Sequence, residues 1–139
     1  MRTQIHLQLW GGLLSPLDEN LTITTDFHPL NSNIFSHGSG SAYPPDRSHA
    51  LSPSVVIYLW SNASLDQTIA SAMRNHSNAL HAAALAEGQN VSHAASYMNY
   101  ALFDTPLEDM YGANVPRLRE IKAEIDPENV MGLTGGFKF

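Results

Sequence analysis

The sequence predicts an α+β fold: an antiparallel sheet of about four strands, with helices packed on one face and further helices toward the C-terminus. Three observations carry this prediction: polar-apolar alternation over 4–9 and 21–27, a doubly apolar run over 54–60, and a capped, helically periodic stretch over 64–87. With 139 residues, 43% of them hydrophobic and 14% charged, the chain has the length of one domain and enough apolar side chains to bury a core.

Ile5, Leu7 and Leu9 alternate with Gln4, His6 and Gln8, predicting a strand with one covered face that Gly11-Gly12 breaks. Because this start alternates instead of running apolar, it reads as a strand and not as a leader, and no stretch is long and apolar enough to span a membrane. Leu21, Ile23, Thr25 and Phe27 against Thr22, Thr24 and Asp26 predict a second half-buried strand, placed to pair with the first. From His28 to Pro53 the composition turns to Ser, Asn, Gly and Pro, which predicts a long loop. Ser54 to Trp60 is apolar on both faces and predicts a central strand covered on both sides.

Ser64 with Gln67 has the spacing of a capping box. Leu65, Ile69, Ala72/Met73, His76, Leu80 and Ala83/Ala84 then recur at steps of three and four up to Gly88, predicting a helix over Leu65–Glu87. Ser96 to Leu102 reads as a short strand. Thr105-Pro106-Leu107-Glu108 predicts a helix start with Pro at the first helical position, stopping at Gly112. After Asn114, Leu118, Ile121 and Ile125 share one helix face, which Asp126-Pro127 closes.

The charge balance, 7 Lys and Arg against 13 Asp and Glu, excludes a broad phosphate-binding surface. Arg117, Arg119 and Lys122 sit among Glu120, Glu124 and Asp126, so nucleic acid is not an expected partner. The absence of Cys excludes disulfides, thiolate metal sites and a cysteinyl cofactor link within these residues. Among seven His, His76 and His81 are five apart, roughly 140° around a helix, and no H-E-x-x-H occurs, so no metal site is expected and the histidines read as solvated or core. His37-Gly38-Ser39-Gly40-Ser41 lacks both a phosphate-loop Lys and a following apolar helix, and reads as a linker. N-x-[ST] sequons occur at Asn20, Asn62, Asn75 and Asn90, with Asn75 inside the expected helix.

Tyr97-Met98-Asn99-Tyr100, read as a strand, puts Tyr97 and Asn99 on one face and Met98 and Tyr100 on the other. A phenol acts as acid or base only when its ordinary value near 10 is lowered by a cation or hydrogen bonds; on residue chemistry alone these are core tyrosines with hydroxyls at the rim.

Tyr97-Met98-Asn99-Tyr100, Tyr111-Gly112-Ala113-Asn114, Arg117-Leu118, Ile121-Lys122, Asp126-Pro127 and Asn129-Val130 together resemble the C-terminal signature of the berberine bridge enzyme-like flavoproteins. Gln4 to Gly12 and Ser41 to Arg47 are similar to pieces of that family's substrate domain, and Gly135 to Phe139 resembles its fungal members. The resemblance implies a single berberine-like substrate domain over 1–139, of the type found in vanillyl-alcohol-oxidase flavoproteins, with the FAD-binding domain outside these residues. It implies an FAD-linked oxidoreductase passing hydride from a small-molecule substrate to flavin. Tyr100 matches the catalytic tyrosine, Asn99 the asparagine beside the flavin, and Tyr97 the same pocket wall. Leu102 stands where an acidic residue often follows the Asn-Tyr pair, and Met131 where Phe is common. The implied partners are the substrate and either a separate FAD-binding half or a second copy of the chain. The alternative class is a flavin-free small-molecule binder or cyclase of secondary metabolism, distinguished by a compact, monodisperse state without FAD.

Overall fold

The computed structural model describes residues 11–31, 33–37, 40–44 and 51–139. It divides into two compact units, one made of Met1–Pro29 with Ser52–His93 and the other of Leu30–Leu51 with Ala94–Phe139. The strand expected over 4–9 lies outside the described residues. Gly11-Gly12, expected to break it, opens a helical turn over residues 11–14 that brings Leu14 into the core.

In the first unit, β1 (Thr22–Phe27) pairs antiparallel with β2 (Ser54–Leu59), from Thr22 opposite Leu59 to Phe27 opposite Ser54. The period-2 pattern aims Ile23 and Thr25 of β1 and Val56 and Tyr58 of β2 to one face. That face packs on α1 (Asp66–Ala86) through Ile69 and Ala72, with Leu14, Leu21, Trp60, Leu65 and Met73 around them. Burying a side chain such as Ile69 stabilises by roughly 1.5–3 kcal/mol. Two expectations fail here. Phe27 continues the alternation but ends the strand exposed, and among the described residues β2 is not covered on both sides: Ile57 and Leu59 are exposed on its second face. Among the described residues the sheet has two strands, where about four were expected.

The helix over 66–86 forms as its periodicity predicts, but not with the predicted cap. A 3-10 turn, Ala63–Leu65, precedes it, and Asn62 is the capping residue: its side-chain oxygen accepts from Ser64 N at 3.1 Å. At the other end Gly88 takes φ +76°, so that Gln89 N donates to Ala84 O and Gly88 N to Leu85 O, the paired bonds of a Schellman termination.

Asp18 fastens the start of β1 to the end of β2. Its buried carboxylate accepts from Ser61 N (2.8 Å), Asn20 N (2.9 Å), Asn62 N (3.0 Å) and the Ser61 hydroxyl. The Ser61 amide foremost, then those of Asn20 and Asn62, hold its pKa below the ordinary value of 3.8 despite burial. A depressed folded pKa stabilises above the unfolded value and is lost as pH falls through the folded one. The melting temperature of Asp18→Asn should therefore lie below that of the native chain at neutral pH and converge on it below the ordinary carboxylate range, as thermal melts across pH will show.

In the second unit, α2 (Leu107–Tyr111), a 3-10 turn (Gly112–Asn114) and α3 (Val115–Ile125) follow one another. Pro106 stands just before the first helical residue, one position earlier than expected, and Gly112 at φ +53° redirects the chain into the 3-10 turn. Met110, Tyr111 and Val115 form the core, packed by Met98, Ala101, Leu107, Leu118, Phe137 and Phe139. The face expected on α3 is only partly covered: Leu118 is half-buried, while Ile121 and Ile125 are exposed. Asp126 closes α3 by accepting from Val130 N (2.7 Å) and Met131 N (3.1 Å), and its carboxylate lies 3.3 Å from Lys122 Nζ. Burial pushes its pKa up, but those amides and Lys122 outweigh it and leave the carboxyl below its ordinary value.

Candidate functional site

The predicted strand over 96–102 is a run of turns. Ser96 N donates to Asp109 O at 2.8 Å and Tyr100 N to Tyr97 O at 2.9 Å, so these amides bond to α2 and within the turn, with no neighbouring strand as partner. The reason is visible in the core. Met98 and Ala101, three apart, both pack on the Met110 cluster, a spacing that a turn satisfies and an alternating strand does not.

This turn gathers the three residues singled out by the sequence, where a strand would have divided them. Tyr97 and Tyr100 meet edge to face with ring centres 5.1 Å apart. Asn99 Nδ2 donates to the Tyr97 hydroxyl at 3.0 Å. Asn99 is exposed, while Tyr97 and Tyr100 are half-buried.

Tyr43 belongs to the same cluster, although the sequence reading gave it no role. Its ring stands edge to face against Tyr97 at 5.9 Å, and its hydroxyl donates to Ala95 O at 3.0 Å. Burial pushes the Tyr43 phenol up, and the neighbouring Tyr97 adds to the rise. Residues 40–44 are held there by Asn114, whose Nδ2 donates to Ser41 O and Ala42 O at 3.0 Å each. A Cβ on Gly112 would lie 3.6 Å from Pro44 Cγ, so the loop also rests on the α2–α3 junction. Tyr43 has no periodic neighbours in a Ser-, Gly- and Pro-rich stretch; only the Tyr43-Pro44 pair within the resemblance marked it.

Tyr111 lies behind the cluster, its hydroxyl donating to Met98 Sδ at 3.2 Å and its ring meeting Phe139 edge to face at 5.1 Å. Two rings and an amide on one turn, with the Tyr43 ring beside them, can line a flat ligand by stacking and one polar contact.

Residues 96–134 match the family model described as Berberine and berberine like. The berberine-like segment thus opens on the Tyr97–Tyr100 turn and closes at Thr134, past the Asp126 termination. It supports a berberine-bridge-enzyme-like domain over that span. No curated protein and no solved structure matched the chain in the same comparisons. Among the described residues, no group of three or more His, Asp or Glu is placed to hold a metal ion, and no helix is long and apolar enough to cross a membrane. His76 is fully buried, its Nδ1 2.7 Å from the Tyr58 hydroxyl, whereas His81 is exposed.

Proposed function

We propose that the chain supplies the C-terminal, substrate-side portion of an FAD-linked oxidoreductase of the berberine type, similar to fungal members, with the flavin-binding half contributed from outside these residues. One observation supports this reading above the others: the berberine-like segment begins on the turn that brings Tyr97, Asn99 and Tyr100 together.

The residues present fit the ring portion of a flavin. Asn99 is exposed and gives one amide N–H to Tyr97, so its oxygen and second N–H suit the carbonyl and N–H edge of a flat heterocycle. FAD when bound accepts hydride from a substrate carbon. Tyr97 and Tyr43 hold the ring wall in place, and Tyr100 takes the substrate proton at its hydroxyl oxygen. That role requires a nearby cation or donor to favour the phenolate once the substrate and the flavin half are in place. Leu102, where the family often has an acidic residue, leaves the base without a carboxylate at that position.

The test begins with the visible spectrum of the chain, titrated with FAD alone and with an FAD-binding half of the same family. In the assembled protein, Tyr100→Phe should slow anaerobic bleaching of the flavin by substrate by about 10²–10⁴-fold without changing flavin occupancy. An unchanged rate removes Tyr100 as the base. No flavin bound under either condition, with the chain compact and monodisperse, overturns the flavin reading and favours a stand-alone small-molecule binder.

A further inference from the structure

Four N-x-[ST] sequons play no part in the function above, and the structure sets them apart from one another. Asn62-Ala63-Ser64 forms a closed local turn at the start of α1: Asn62 Oδ1 accepts from Ser64 N at 3.1 Å and from the Ser64 hydroxyl at 2.8 Å. Both residues are exposed. These bonds lie within three residues, so the tripeptide adopts the shape from its own atoms. They occupy the amide oxygen, draw electron density from the amide, and leave Nδ2 as the atom available for chemistry.

Asn20 and Asn75 differ at the same atoms. Asn20 Nδ2 is engaged, donating to the Ser61 hydroxyl at 3.1 Å, and its Thr22 is already in β1. Asn75 lies in the middle of α1, where a residue two positions on is turned by about 200° around the axis, so the Ser77 hydroxyl cannot reach its amide. His76 between them is fully buried, which pins that segment to the core. Asn90 lies two residues beyond the Gly88 termination of α1.

We infer that Asn62 is an acceptor site for an N-linked oligosaccharide that stays competent in the folded chain, whereas Asn75 is masked by its helix. The co-reactant is a lipid-pyrophosphate-linked oligosaccharide. Asn62 Nδ2 forms a bond to C1 of the reducing-end sugar, the C1–O bond to the pyrophosphate breaks, and the lipid pyrophosphate leaves. The amide proton passes to a base of the transferase, and no oxidation or reduction occurs. A glycan there would project from the exposed turn before α1 and displace no core contact.

The arrangement of basic residues makes the test direct. Trypsin cutting after Arg47 and Arg74 yields peptide 48–74, which contains Asn62 and none of the other three sequons, and peptide 75–117 carries Asn75 and Asn90. The folded chain, in an Asn90→Gln background, is incubated with an oligosaccharyltransferase and the lipid-linked donor, and peptide masses are followed with time. Peptide 48–74 should gain the oligosaccharide first, and at least tenfold faster than peptide 75–117. Ser64→Ala should abolish the gain, Ser64→Thr should retain it, and circular dichroism should show α1 intact in both. Peptide 48–74 staying unmodified, or 75–117 being modified ahead of it, overturns the inference, as does full transfer to Ser64→Ala.

Discussion

Met110→Ala is expected to destabilise the C-terminal unit by about 2–5 kcal/mol. Met110 has no exposed surface and is held between Tyr111, Val115 and the half-buried Met98, Leu107 and Leu118, so truncation removes contacts on every side and leaves a cavity. Four tyrosines, Tyr43, Tyr97, Tyr100 and Tyr111, lie in this unit, and their near-ultraviolet circular dichroism reports its unfolding in urea. The midpoint should fall with the slope unchanged. Met110→Leu, close in volume, should cost less than about 1.5 kcal/mol. A loss below about 0.5 kcal/mol for Met110→Ala would mean that this residue does not anchor the core, and that the turn carrying Tyr97 and Tyr100 rests on something else.

Tyr58→Phe should cost the N-terminal unit about 1–3 kcal/mol. The hydroxyl it deletes lies 2.7 Å from Nδ1 of His76, and both residues are buried between β2 and α1. Desolvation pushes the Tyr58 phenol up to about 12, so it stays protonated through the physiological range. Removing the hydroxyl strips His76 Nδ1 of that bond where water cannot replace it. Replacing both residues at once, Tyr58→Phe with His76→Leu, removes the polar group as well as its partner, so the double variant should recover part of the loss. Trp60, beside Tyr58 and hydrogen-bonded through its indole to Asp66 at 2.8 Å, offers a fluorescence reading of the same unit. Additive losses in this cycle would show that the pair is not coupled.

The parts legible in the sequence are those in which one periodicity acts over several turns or residues. Ile69, Ala72 and His76 recur at helical spacing and are buried on one face, and Gly88 ends the helix because only a residue tolerant of positive φ closes a Schellman motif cheaply. In β1 the alternation of Ile23 and Thr25 against Thr22 and Thr24 gave the buried face correctly. Periodicity misled where contacts are few and specific. The 96–102 segment alternates in composition, yet Met98 and Ala101 face the core through turns, and no local pattern distinguishes that from a strand. On α3, apolar spacing marked Leu118, Ile121 and Ile125 alike, but Leu118 packs on the Met110 core while Ile121 is exposed and Ile125 is 77% exposed. For the candidate site, the motif resemblance drew attention to Tyr97, Asn99 and Tyr100, while Tyr43 entered through contacts spanning 52 residues to Ala95, beyond the reach of any local rule.

The two units are interleaved along the chain, and this has a consequence for the order in which they form. The β1–β2 hairpin cannot close until the segment after Ser52 has been made, and the loop between its strands belongs to the other unit, waiting for Asn114 to clasp Ser41 and Ala42. A ribosome delivering this chain from the N-terminus therefore completes neither unit early: residues 40–44 emerge well before the helix junction that holds them. Such non-local closures slow folding relative to a chain with sequential neighbours. They also mean that no single cut in the backbone separates the two units, so a fragment beginning at Ala94 would carry the tyrosine turn without the loop that Tyr43 brings to it.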